Sequence, residues 1–153
     1  MKIKREKVAL LEVAFQGLIE EQLEPETSFK IAKNLIVASE TVAAIKKTYV
    51  VKPEYTAYIE AMQEVIKGAG GIQKPDGSFE LKPEQAMSIK DELDKLAEEH
   101  KDAIDAHNEY AETFKEFLDR EIELEFTKIE LKELTGKIKP KQILELVRAG
   151  ILE

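Results

Sequence analysis

Nine residues, Ile89, Leu93, Leu96, His100, Ala103, His107, Tyr110, Phe114 and Phe117, recur in alternating steps of four and three. That spacing keeps all nine on one narrow stripe of an α-helix and leaves the rest of the surface to water. Over the whole segment the stripe runs about 50 Å at 1.5 Å per residue. A chain carrying such a seam has to bury it against another helix. A second seam, Ile31, Leu35, Ala38, Val42, Ile45 and Tyr49, has the same alternation. The pattern therefore predicts a mainly α fold: a long antiparallel helical hairpin preceded by an N-terminal helix, with a short β element and a short C-terminal helix.

The remaining boundaries follow from turn and cap residues. Val8, Leu11, Phe15, Leu18 and Ile19 form one face of a first helix from about Lys4 to Gln22. Pro25, Pro53, Pro83 and Pro140 each suit a first helical turn, where a missing amide donor costs nothing, and Pro75 suits a turn with Asp76-Gly77. Pro53 should stop the second helix near Val51 and restart it, so that Tyr55, Tyr58, Ile59, Met62, Val65 and Ile66 continue an apolar face. Gly68-Ala69-Gly70-Gly71 ends that run. The Asp76-Gly77 turn with Phe79 and Leu81 predicts a small hairpin, and Pro83 opens a third helix that reaches about Leu118, the longest element. From Arg120 the period becomes two: Ile122, Leu124 and Phe126 point one way and Glu121, Glu123 and Glu125 the other. Ile129 and Leu131 follow on the opposite parity, which requires a bulge or bend near Thr127-Lys128. A strand of this kind needs a partner, either Lys2-Ile3-Lys4 or Ser78 to Leu81. In the C-terminal helix, Ile143, Leu144 and Val147 are expected inward, with Ile151 folded back over Gly150.

The 153 residues read as one helical domain, 1–153, with a flexible connection at 68–82 as the one place where two halves could move. Charge is uneven. Residues 1–82 carry 12 basic and 12 acidic side chains, whereas 84–125 carry 5 basic and 15 acidic, and the whole chain is at −8. A phosphate backbone is repelled by such a face, so direct nucleic-acid binding is not expected. The acidic run is either a solvated helix face or a docking surface for a basic protein, and Glu98, Asp102, Asp105, Glu109, Glu112 and Glu116 are the residues that would carry the docking. No apolar run is long enough to span a bilayer, and the lysine-rich start leads into an amphipathic segment with acids in it, which suggests a protein without a signal peptide and no membrane partner.

Catalytic and metal-binding patterns are missing. The absence of cysteine removes thiol chemistry and thiolate zinc sites. His100 and His107 lie on one face about 10.5 Å apart along the axis, too far to share an ion, and their same-face neighbours include no carboxylate. They read as polar seam positions; a pH-sensitive contact or a base would need ligands from another helix, such as Glu40. The glycines at 68–71 lack the Lys-Ser/Thr of a phosphate loop, Asp76-Gly77 lacks the alternating acids of a calcium loop, and no nucleophile motif appears. The expectation is a non-enzyme with no metal and no cofactor. Tyr55 and Tyr58 beside the Pro53 break suit core or hinge packing, or contact with a partner.

Phe15-Gln16-Gly17-Leu18-Ile19, the run from Leu23 to Lys33, and the ending Glu121-Ile122-Glu123-Leu124, Ile129 to Leu134 and Ile138-Lys139-Pro140 resemble a group of small phage-encoded helical proteins of unknown function. Glu24, Glu26 and Pro53 depart from that pattern. The resemblance implies a viral origin, a location in the host cytoplasm or the virion, and no catalytic residues to carry over. Together with the seams and the acidic face, it suggests an accessory or assembly factor that contacts a virion component or a host protein. The alternatives are an acidic inhibitor of a host nucleic-acid-binding protein and, third, a small enzyme or ligand-binding protein. Two seams in one chain pair intramolecularly or, if Pro53 misaligns them, drive a homodimer.

Overall fold

Proline positions set the helix starts. In the computed structural model, which describes residues 1–134 and 138–152, the elements run β1 (Lys2–Lys4), α1 (Arg5–Ile19), α2 (Pro25–Thr48), α3 (Pro53–Gly68), β2 (Ile72–Gln73), β3 (Phe79–Glu80), α4 (Pro83–Ser88), α5 (Lys90–Glu99), α6 (Lys101–Asp119), β4 (Glu121–Glu123), a 3₁₀ turn at Leu131–Glu133, and α7 (Pro140–Arg148). Pro25, Pro53, Pro83 and Pro140 each open a helix. Gln85 and Gln142, two positions after their prolines, accept hydrogen bonds from the Lys82 and Lys139 amides at 2.9 and 3.0 Å. Each glutamine thus satisfies a donor just outside the helix. The fold is mainly helical, with two small antiparallel sheets, as the periodicity requires. Its contacts gather into two compact units, Met1–Tyr49 with Phe114–Glu153, and Val50–Thr113.

The first unit is built on the α1–α2 helical hairpin, with α7 packed on α1. Val8, Leu11, Phe15 and Leu18 from α1 meet Ile31, Ala38 and Val42 from α2, and Ile129, Leu134, Leu146, Ile151 and Leu152 complete the buried cluster. β1 supplies the partner for β4, in the register Lys2 with Glu123, Ile3 with Ile122 and Lys4 with Glu121. Lysines therefore face glutamates across the ladder, and the two isoleucines share the inner face. The alternation from Glu121 to Phe126 is intact, with Ile122, Leu124 and Phe126 turned in. The parity then shifts at Thr127, whose backbone both donates to and accepts from the Asn34 side chain. Ile129 is buried beside Leu152 in a parallel bridge, but Leu131 begins the 3₁₀ turn and is exposed.

Three expectations need correction here. Ile19 is 43% exposed, because Ala14 and not Ile19 completes the buried face of α1. Leu144 and Val147 are 45% and 53% exposed; α7 turns Leu146 into the core, with Ile143 and Ala149 at its edge. The reason lies at Gly17, against which Gln142 packs closely, fixing the rotation of α7. Ile151 does fold back, its amide bonded to the Leu146 carbonyl at 2.9 Å over Gly150 at φ +65°.

In the second unit, α3 packs on α5 across the 68–82 connection. The two strict seams expected to pair with each other do not make this hairpin: Ile31, Ala38 and Val42 of α2 are buried against α1, and it is α3, the helix restarted by Pro53, that packs on the start of the other seam. Gly70 (φ +82°) ends α3, and β2 and β3 form the small hairpin around the Asp76-Gly77 turn. The third helix is not continuous: it is divided at Ile89 and His100, so α2 with 24 residues is the longest helix described. At Ile89 the Ser88 hydroxyl returns to the Gln85 carbonyl, competing for an acceptor of the helical ladder. At His100 the backbone relaxes to φ −105°, ψ 15°, yet Ile104 still donates to the His100 carbonyl at 3.0 Å. The break there is a local departure within one helical path.

Candidate functional site

Each tyrosine beside the Pro53 break meets a histidine of the seam. Tyr55 stacks flat on His107, centroids 3.7 Å apart and planes within 5°, and Tyr58 packs at a tilt on His100 at 5.7 Å. Tyr55 and Tyr58 also touch, at 5.9 Å. Pro53 makes this meeting happen: by restarting the helix at 53 it places residues 55 and 58 one turn in, on the side that faces the seam. The histidines are therefore aromatic seam residues on the hairpin's inner side. Tyr110 is held as well, its hydroxyl accepting a hydrogen bond from the Val50 amide at 3.2 Å.

Beside these rings lies a cleft of about 510 Å³ within the second unit. Its walls are Val50, Tyr55, His100, Ala103, Ala106, His107 and Tyr110, and Lys52, Glu54, Glu99 and Asp102 stand at its rim. The opening follows from side-chain size. The seam carries leucine at 93 and 96 but alanine at 103, and Ala106 sits beside it, so the stripe has too little volume there to close against α3. The rim carries three carboxylates to one ammonium.

The row of acids read from the sequence occupies the other side of the same helices. Glu98, Asp102, Asp105, Glu109 and Glu112 are all exposed, stepping by four and three along α5 and α6 at helical angles away from the seam. Glu116, also exposed, lies on the portion of α6 grouped with the first unit. Asp102 belongs both to this row and to the cleft rim. Among the described residues, no three histidine, aspartate or glutamate side chains are grouped so as to hold a metal ion, and no helix is long and apolar enough to cross a membrane.

Asn34 escaped the sequence reading. It is fully buried in the first unit, with its amide nitrogen 2.8 Å from the Thr127 carbonyl and its oxygen 2.7 Å from the Thr127 amide. Its position one turn after Lys30 on the apolar side of α2 was the only signal. Comparison with known protein families, characterised proteins and solved structures yields no match to this chain.

Proposed function

We propose that this chain is a non-enzymatic binding protein that docks a basic partner protein on its second unit. The observation that carries the reading is the exposed row Glu98, Asp102, Asp105, Glu109 and Glu112, which meets the rim of the cleft at Asp102. Charge of one sign along consecutive helical turns raises the encounter rate with a basic surface and orients it, while the uncovered apolar walls supply area to bury on contact. The same charge disfavours DNA or RNA as the partner. In a phage setting this favours an inhibitor of a host nucleic-acid-binding protein over an assembly component.

The test is capture of partners by the tagged full chain from infected and uninfected host lysate at low and high salt, beside the variant Asp105→Asn, Glu109→Gln, Glu112→Gln. A basic host protein, bound at low salt and lost both at high salt and with the variant, is the expected result. Virion proteins held equally at high salt by both forms would replace this reading with an assembly role. No specific partner in either condition would overturn both.

A further inference from the structure

We propose that the cleft of the second unit takes the guanidinium end of an arginine side chain presented by the partner. That the arginine comes from a protein rests on the docking reading above; that the cleft prefers a planar cation stands on its own geometry. Three carboxylates, Glu54, Glu99 and Asp102, outnumber Lys52 at the rim, so an anion is repelled and a cation is drawn in. The walls beneath are aromatic and small: Tyr55, His107 and Tyr110 with Ala103 and Ala106. A flat, weakly hydrated cationic head that enters first suits these surfaces, since it stacks on the rings below the acidic rim, and the apolar stem behind it packs on the small side chains beside them. A lysine ammonium is compact and strongly hydrated, gains less from a ring face, and is the poorer occupant.

The site is also set in advance. The Tyr55–His107 stack and the hydrogen bond from the Val50 amide to the Tyr110 hydroxyl fix three of the four rings that line the cleft. Little side-chain freedom is left to lose on binding, which is the usual reason a small contact becomes a selective one. The volume, about 510 Å³, lies in the range of small-ligand pockets and leaves room for the residues flanking the arginine.

The experiment is a titration of the full chain, labelled at tyrosine and histidine rings for NMR, with Nα-acetyl-arginine amide. Nα-acetyl-lysine amide and Nα-acetyl-citrulline amide serve as matched probes, the last having the shape without the charge. The expected result is saturable movement of the Tyr55, Tyr110 and His107 signals with arginine, and binding weaker by about tenfold or more for the other two, one good charged and stacked contact being of that order. Ala103→Leu should abolish the response by filling the cleft. Should that variant fail to fold, the pair Glu54→Gln, Asp102→Asn, on exposed rim positions, should weaken arginine binding and leave the ring signals of the free protein in place. Equal binding of lysine and arginine, binding unchanged by the rim pair, or no saturation with arginine each overturns the proposal. Because the probe is a single amino acid, a negative titration leaves salt-dependent capture standing, and a failed capture leaves the cleft's preference standing.

Discussion

At the scale of single residues, two side chains of the first unit join segments distant in sequence. Asn34 sits on α2 and satisfies both backbone groups of Thr127. Asn34→Leu fills a similar volume but leaves that amide and carbonyl without partners, at about 1 to 3 kcal/mol for each, so a loss of roughly 2 to 6 kcal/mol is expected in urea unfolding. Asn34→Asp keeps the acceptor, loses the donor and sets a buried carboxyl against the Thr127 carbonyl, so its cost should grow as pH rises and that carboxyl has to ionise. Glu133 is the second. One carboxylate oxygen takes the Glu130 amide at 2.7 Å and the other takes the Lys30 ammonium at 2.7 Å. The Glu130 amide first, and then Lys30, hold this carboxyl below its ordinary value, while the Lys30 ammonium is held above its own, chiefly by its hydrogen bond to Glu133. A carboxyl depressed on folding stabilises the protein above its unfolded value of about 4.3 and stops doing so as pH falls through the depressed one. Glu133→Gln, which can still accept from Glu130, should therefore lower stability at pH 7, with the gap from the parent closing through the acid range. A gap that persists at the acid end would mean that charge is not what Glu133 contributes.

At the scale of elements, what was legible in the sequence was local chemistry. Proline starts, the glycine stops and the turn at Asp76-Gly77 depend on backbone preferences that no distant contact overrode. The β1–β4 pairing was half legible: Lys2-Ile3-Lys4 was one of two candidate partners, and its charges match Glu121-Ile122-Glu123, but Glu123-Leu124-Glu125 offers the same match two residues on, so the register was settled by tertiary packing. Helix rotation was less so. Ile19, Leu144 and Val147 are apolar at angles compatible with burial, and only the neighbouring helix decided that Ala14 and Leu146 would be inside. Asn34 was invisible for a related reason: a polar residue on an apolar face earns its burial from Thr127, 93 positions away. The cleft was half legible. The tyrosines and histidines stood out separately, but their stacking depended on how far Pro53 shifts the helix register. The end of α3 gives a sharp test of the local part. A Cβ on Gly71 would stand 2.6 Å from the Ile66 methyl and 2.8 Å from the Ile66 carbonyl oxygen. Gly71→Ala must therefore displace backbone, and a loss of about 1 to 3 kcal/mol is expected, the usual cost of forcing extra volume into a tight contact. Gly68→Ala meets nothing within 4 Å and serves as the control that should be neutral or slightly stabilising.

For the whole molecule, burial is divided unequally between the two units, and this bears on function. Among the described residues of Val50–Thr113, Ile89 is the one buried apolar side chain, still 7% exposed; every other buried one belongs to the first unit. Local stability follows the density of buried apolar contacts, so the second unit should open far more readily than the first. Native-state hydrogen exchange should show amides of α1 and α2 exchanging near the limit set by global unfolding, and those of α3 and α5 exchanging faster through smaller openings. Equal protection in the two sets would refute this division. A marginal unit bearing the acidic row and the aromatic cleft is also the unit whose stability a partner can change most, because ligand that binds only the closed form adds to a small free energy more visibly than to a large one. Saturating a captured partner should therefore slow exchange in α3 and α5 and leave α1 and α2 nearly unchanged. Protection gained instead along α1 or α7 would move the docking surface to the first unit, where Leu10 on α1 and Leu144 and Val147 on α7 are exposed.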